Sequence, residues 1–454
     1  MRFFSTVVFV SCLFTFSTCI YSQDLFESAS KDSSAGTSSS NDKILNKTVD
    51  VSGFVKGAFF GGSNDNNDAV MLGSYGQTAL KLNVEKNGVG NAFAEVRLNA
   101  GYDRGVESEK CDVREAWAAF NAKGVDIKVG RQIIVWGRAD GINPTNNITP
   151  QNQLVLSSEV DDARLGNELL QFKTKIGQAN IQGIWIPSYR ADVLLLNSSI
   201  LPAGVLIKDP VYPDFKFTNS SYALRVDFTT PSIDGSVSYL NGNATLPGFD
   251  WATDASGLSI TPKAYRMHVV GGDFSTTAGA YGLRGEVAAK IPTGDYENLA
   301  YIPHPFGQLV LGIDRSIGDI SILVQYAGLY VYNFKKISDP VMDMNAMSDY
   351  YAALTNTEME RLNRKFTGTT DEFSHSLTAN VQWNTMHETL HLKLSGFHNI
   401  TTEEYAIVPS ASYDIADAIC LNIGGRYMDG KDGSLNKLVK HLMSNVYTEL
   451  KISF

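Results

Sequence analysis

From Val49 onward the chain repeats segments of about ten residues in which apolar and polar side chains alternate strictly, each closed by a turn, the spacing of membrane-crossing strands. In "TALKLNVEK", Leu80, Leu82 and Val84 share one face while Lys81, Asn83 and Glu85 share the other. "SYALRVDF" sets Tyr222, Leu224, Val226 and Phe228 against Arg225 and Asp227, and "YGLRGEVAAKI" sets Tyr281, Leu283, Val287 and Ile291 against Arg284, Glu286 and Lys290. A period of two with a charged opposite face marks a strand. A soluble sandwich alternates in the same way, so the alternation by itself leaves the architecture open.

The connections discriminate, because short and long ones take turns. Tight links fall near 87–89, 122–124, 177–179, 231–234, 317–319 and 414–417. Long ones fall near 61–75, 136–167, 188–217, 243–263, 292–306, 334–371 and 429–444, while 103–111 and 400–403 are shorter than the rule asks. Short turns at one end and long loops at the other are the pattern of a transmembrane barrel, and a sandwich has no reason to keep that parity. The expected fold is therefore all-β: a transmembrane antiparallel β-barrel of about eighteen strands, with sixteen as the alternative, occupying 49–454. Closure also answers the backbone hydrogen-bond problem in lipid.

The two ends agree with this. "MRFFSTVVFVSCLFTFSTCIYSQ" has one basic residue, an apolar run and small residues near Ser22, the pattern of a secretory signal over 1–22. "FSTC" distantly resembles a lipobox, which would instead lipidate Cys19; Phe at the Leu position and Thr before the Cys weigh against it. Residues 23–48 are Ser-, Asp- and Lys-rich and read as a flexible periplasmic lead-in. The last strand, "NVYTELKISF", puts Val446, Leu450, Ile452 and Phe454 on one face. A terminal aromatic on an alternating strand resembles the signal that outer-membrane barrels present to their assembly machinery, which makes Phe454 the expected assembly signal.

Charged residues make up 19% of the chain, below the soluble average of about 25%. The net charge is −10, and losing the signal removes one Arg and no acid, so nucleic acid is disfavoured as a partner. With the signal gone only Cys111 and Cys420 remain; they are no disulfide framework, and the strand map places them at opposite ends. Residues 340–366 break the alternation. Pro340 is the expected helix start, and Val341, Met344, Tyr351, Leu354, Leu362 and Phe366 fit one stripe, so a helix is expected inside a long external loop, folded onto the rim or plugging the mouth.

Two motifs suggest chemistry and do not hold up. "HETLH", from His387 to His391, matches the HExxH pattern of zinc peptidases. Here it is a turn running into a strand, where residues four apart lie ~13 Å from each other, too far to share one metal. Ser374 and His375 are neighbours on a strand and so face opposite ways. No catalytic residues, cofactor or metal are expected.

The inward positions are more informative. They are assigned as Lys81, Glu95, Arg97, Lys128, Lys173, Lys175, Arg225, Arg266, Arg284, Lys393 and Arg426, with Lys290 beside them and Glu85, Asp126, Asp227, Glu286 and Asp314 as acidic companions. The balance is basic, and rings of Lys and Arg favour anions in pores; the plainer reading is mutual ion pairing across a wet interior. Arg131 falls on the lipid-facing side unless a bulge intervenes.

"GRQIIVWGRADGINPTNNITP" (130–150) is a strand running into a long irregular loop, and such loops in compact proteins are usually functional. Counting from the N-terminus makes 124–135 the fifth strand and 136–167 the third external loop. Through Gly130, Arg131, Gln132, Trp136, Gly137, Asp140, Asn143 and Pro144 the stretch resembles the strand-plus-loop signature of an uncharacterised family of bacterial outer-membrane barrels and, more distantly, the alginate-export barrels. The resemblance covers some forty residues and implies fold and location rather than a substrate. In general porins the third loop folds into the barrel and narrows it. Arg138, Asp140, Asn143, Pro144, Glu159, Asp161, Asp162 and Arg164 are therefore the expected constriction residues, acids facing basic walls; the alternative is a surface loop built of Asn and Pro turns.

The expectation is a porin-like channel in the outer membrane of a Gram-negative-type envelope. It would pass small solutes, anionic ones suiting its lumen, passively or selectively and without a reaction. The alternatives are an exporter partner for an anionic or amphiphilic polymer and a surface adhesin on a barrel platform. Partners are then outer-membrane lipid, the barrel-assembly machinery and the solute, with self-association left open.

Overall fold

The computed structural model describes residues 47–64, 66–194, 205–254, 257–342 and 344–454; the expected signal, Cys19 and nearly all of the lead-in lie outside these. Twenty-one strands follow in order: β1 (Lys47–Ser63), β2 (Ala69–Lys86), β3 (Gly90–Asp103), β4 (Val106–Ala122), β5 (Val125–Gln132), β6 (Asn167–Ile176), β7 (Ala179–Ile186), β8 (Val205–Ile207), β9 (Ser221–Thr229), β10 (Ile233–Asn243), β11 (Gly248–Asp254), β12 (Gly257–Lys263), β13 (Arg266–Ala278), β14 (Tyr281–Pro292), β15 (Phe306–Ile317), β16 (Ile320–Val331), β17 (Phe373–Thr385), β18 (Leu390–Asn399), β19 (Glu404–Ala416), β20 (Ile419–Gly430) and β21 (Asn445–Ser453). With β8, β11 and β12 set aside, each strand pairs antiparallel with the next, and β21 pairs back onto β1. The result is a closed barrel of eighteen strands. At the seam, Phe454 and Gly53 exchange backbone hydrogen bonds at 2.9 Å in both directions, so the sheet has no open edge there.

Alternation assigns the two faces. On β1 the side chains of Val51, Val55 and Phe59 point outward, Val51 being 56% exposed, while Phe54, Lys56, Ala58 and Phe60 point inward, Lys56 being 1% exposed. On β17 Leu377, Val381 and Trp383 point out, and Ser374, Ser376, Thr378 and Asn380 are buried inside. An apolar outer wall around a polar interior is what lipid and water on opposite sides of one sheet require.

Loop parity holds around the barrel. Short turns occupy one end, with 279–280 and 386–389 joining the six anticipated. The link at 123–124 shows why they are tight: Lys123 and Gly124 both take positive φ, 52° and 86°, the geometry of a two-residue hairpin, and the Asn121 side chain accepts the Gly124 N–H at 3.1 Å. At the other end most loops are long, but 64–68, 104–105 and 400–403 are short; the long link expected over 61–75 shrinks to 64–68 because β1 and β2 stay paired as far as Ser63 and Ala69.

Above the barrel the long loops carry structure that alternation does not announce. β8, β11 and β12 form a small separate sheet. Helix α1 (Met347–Thr367) packs on it through Met359, Leu362 and Phe366 against Phe249, Leu258 and Ile260. Asn363 fastens the two, accepting the Phe249 N–H and donating to the Phe249 carbonyl, both at 2.8 Å. The helix begins at Met347 rather than near Pro340, and Val341 and Met344 are 91% and 79% exposed, so the anticipated stripe holds only in its second half. A second helix, α2 (Leu435–Met443), lies within the long connection at 429–444, where only a loop is expected; Leu435 and Val439 bury against Phe397, Ala406 and Met428.

One inward assignment is corrected. On β13 it is Met267 and Val269 that face inward, 5% and 4% exposed, which turns Arg266 outward. Arg266 there donates to the Asn241 side chain at 2.7 Å and to the Ser220 carbonyl at 2.9 Å. Apolar residues occur on both faces of this strand because its inner face packs against the third external loop. No helix among the described residues is long and apolar enough to cross a membrane.

Candidate functional site

β5 ends at Gln132 because side chains take over from the ladder. The Ile133 N–H goes to the Glu115 carboxylate at 2.9 Å and the Ile134 N–H to the Thr149 hydroxyl at 2.8 Å. The loop of 133–166 thereby turns into the barrel. Ile134, Trp136 and Ile148 bury against the inward residues Leu169, Ile184, Leu240, Met267 and Val269, and the Trp136 indole donates to Gln182 at 3.0 Å.

The first limb of the loop is held by one carboxylate. Glu286, on the inner face of β14, accepts the N–H groups of Arg138 and of Ala139, the latter at 2.5 Å, and the Thr145 hydroxyl at 3.1 Å. Gly137 makes this approach feasible: its φ is +100°, and a Cβ there would sit on the Asn143 amide and the Glu286 carboxylate. Asn143 caps the turn, accepting the Asn146 N–H at 3.1 Å, and the Asn147 amide donates to the Pro144 carbonyl at 2.8 Å. The Asn–Pro turns expected of a surface loop therefore exist, but inside the barrel. Two ion pairs flank them: Arg138 to Asp273 at 2.7 Å and Asp140 to Arg284 at 2.9 Å.

The second limb meets a different wall. Asp162 pairs with Lys56 on β1 at 2.7 Å and with Arg97 on β3 at 2.5 Å, and Arg97 also meets Glu95 at 2.6 Å. Glu159 pairs with Lys451 on β21 at 2.5 Å. Ser158 donates to Glu449 at 2.8 Å. Arg164 pairs with Asp161 inside the loop, and Arg114 donates to the Asp161 carbonyl. Burial alone would raise the Asp162 carboxyl, but Lys56 and Arg97 outweigh it and hold it well below the ordinary carboxylate range.

These two walls face each other. Around the closed order, β13 and β14 lie opposite β1, β3 and β21, so a loop tied to both crosses the interior. Gly137 and Arg138 line a cavity of about 340 Å³ on the outer side, shared with Asp192, Tyr265 and Lys290. They also line one of about 460 Å³ on the periplasmic side, shared with 230–234 and 275–277.

The remaining expected residues divide into three groups. Arg97, Arg225 and Arg284 are all ion-paired, Arg225 with Asp227 at 2.8 Å and with Asp273 at 3.0 Å. Lys81, Lys128, Lys173 and Lys175 keep the inward register near the short turns; among the described residues they make no ion pair, and Lys128 lies 3.4 Å from the centre of the Trp117 ring. Lys393 is inward on β18, and Arg426 is inward on β20, where it lines a cavity with Leu156, Ser158 and Glu159 of the second limb. Arg131 does keep the outward register, one residue from the outer end of β5, paired with Glu168 at 2.5 Å; the nearby bulge lies in β4. His387 sits in a turn and His391 on β18, where it meets Asn384 at 3.0 Å. Lys56, Asp273 and Glu449 are wall residues that the sequence reading does not single out, and Glu286, expected only as an acidic companion of the basic positions, is the anchor of the first limb. Their only signal is a charge on the inward register.

A closed antiparallel sheet with an apolar outer wall and a polar interior crossed by a loop defines a transmembrane β-barrel of the outer-membrane type. No family model matches the chain, and no curated protein does. Among solved structures it is similar to Pseudomonas aeruginosa OccK5 (OpdH), with 10% identity, a TM-score of 0.52 and coverage of 91% of this chain and 99% of that one. It is also similar to P. aeruginosa OccK8 (OprE), at 10% identity and a TM-score of 0.54 over 89% and 97% of the two chains. P. aeruginosa OpdK with vanillate matches at 10% identity and a TM-score of 0.51 over 89% and 98%. At such identities the likeness is one of fold.

Proposed function

We propose that this chain is a substrate-selective channel of the outer membrane for small solutes, with the crossing loop as its constriction. The observation that carries the reading is the loop's attachment to opposite walls by Glu286 on one side and by Lys56 and Arg97 on the other. A loop meant for surface recognition has no use for buried anchors in the interior. Acids of the loop neutralise Lys56, Arg97, Arg284 and Lys451, so Lys290 and the lysines toward the periplasmic end, which pair with no carboxylate among the described residues, supply what preference for anions the pore has. The similar barrel OpdK was solved with vanillate, and a small organic solute is the class proposed here. No reaction is part of this reading. It includes export by the signal in 1–22, a lead-in of 23–48, and Phe454 as the residue read by the assembly machinery. Planar-bilayer recording of the purified full chain tests it: ohmic steps support a channel, and silence contradicts it.

A further inference from the structure

The outer cavity beside the loop contains two charges that no described residue neutralises. Its other charged groups are already engaged: Arg138 with Asp273, Asp140 with Arg284, and Arg164 with Asp161. Lys290 is different. It holds the inward register at the outer end of β14, its ammonium 5.7 Å from the centre of the Phe306 ring, and it meets no carboxylate among the described residues. Asp192, from the loop after β7, faces the same cavity. Its carboxylate accepts the Gln151 N–H at 2.8 Å and the Thr245 hydroxyl, and it has no cationic partner among the described residues. Burial pushes its carboxyl up to about 6.

Buried charges are ordinarily paired, since an isolated one carries a large desolvation cost. Lys290 and Asp192 are not paired with each other either, so the cavity holds them apart, one of each sign. A plain anion would suit Lys290 and be repelled by Asp192; a plain cation would meet the reverse. A solute that carries both an ammonium and a carboxylate satisfies both ends. We propose that this cavity is a binding subsite for small zwitterions of the amino-acid type, with the solute carboxylate on Lys290 and its ammonium on Asp192. The inference rests on the channel reading and names the solute class for it.

The test uses three probes of similar size on the detergent-solubilised full chain, titrated at neutral pH: alanine carries both charges, propionate only the negative one and propylammonium only the positive one. Alanine is expected to bind at least tenfold more tightly than either of the others. Asp192→Asn and Lys290→Gln should each weaken alanine about tenfold, and Asp192→Asn should improve propionate. Equal binding of alanine and propionate would overturn the proposal, as would variants that leave alanine unaffected. The probe comparison needs no variant, so a misfolded mutant does not blunt it. Bilayer recording on the same preparation separates the two claims. Conductance without alanine binding overturns the subsite alone, and alanine binding to a silent protein overturns the channel while leaving the subsite.

Discussion

The Lys56 ammonium and the Asp162 carboxylate meet at 2.7 Å, joining the first barrel strand to the second limb of the crossing loop. Both side chains are almost wholly buried. Removing one member of such a pair leaves the other as an uncompensated buried charge, at a cost of about 3–5 kcal/mol. Asp162→Ala leaves Lys56 with Glu449 at 3.5 Å and Arg97 with Glu95 at 2.6 Å, which puts the cost at the low end of that range, and it removes both ties of this limb to β1 and β3, so it should free the limb. The expected result in bilayers is a larger and noisier single-channel current, with the barrel still folded by its heat-dependent gel mobility.

Asp162 also sets a pH window. Its carboxyl is depressed in the folded protein, so the tie is fully present above the ordinary carboxylate range and is lost only as pH falls through the depressed folded value. The difference in conductance between the wild type and Asp162→Ala should therefore stay level between pH 8 and pH 5. A difference that shrinks within that interval would contradict the assignment.

Asp192 carries the opposite sign. Burial raises its carboxyl to about 6, so its contribution to stability is fully present below the ordinary carboxylate value and is lost as pH rises through about 6. The urea midpoint of the wild type should gain from acidification between pH 8 and pH 5, and Asp192→Asn should remove that part of the gain. An identical pH dependence in the two proteins would refute the placement of this group.

Gly137 is required by conformation and by space together. Alanine would hold φ at +100° with a Cβ on the Asn143 amide and the Glu286 carboxylate, and strain of this kind costs about 1–3 kcal/mol. Gly137→Ala should loosen the first limb and change the conductance, while the assembled barrel keeps its gel mobility.

Glu286→Gln exchanges one of two acceptor oxygens for a donor, facing the N–H of Arg138 and Ala139 or the Thr145 hydroxyl. A buried donor left without its acceptor costs about 1–3 kcal/mol. The change should resemble that of Gly137→Ala in bilayers, and the double variant should add little to either, because both act on one turn.

The barrel was legible in the sequence because lipid and water write a period of two into every strand, and because short and long connections keep parity. The fifth strand and the third loop followed by counting alone. The misassigned face of β13 has a physical cause: inside this barrel apolar residues are buried too. Met267 and Val269 pack against the loop, which gave β13 two apolar faces and hid the outward register of Arg266. The helix at Leu435–Met443 and the small sheet of β8, β11 and β12 are short, and neither interrupts an alternating run. The acids of the loop, Asp140, Glu159 and Asp162, were recognisable as partners for basic walls. Glu286 was recognisable as an inward acid but not as the anchor of the loop, because the backbone donors it accepts leave no trace in composition.

The most direct test of the crossing loop is the single-channel conductance of the full chain against a variant with 140–160 replaced by a short Gly–Ser link. If the loop constricts the interior, the variant conducts several-fold more current, with the same barrel mobility on gels. An unchanged conductance would place the narrowest part elsewhere and contradict the account.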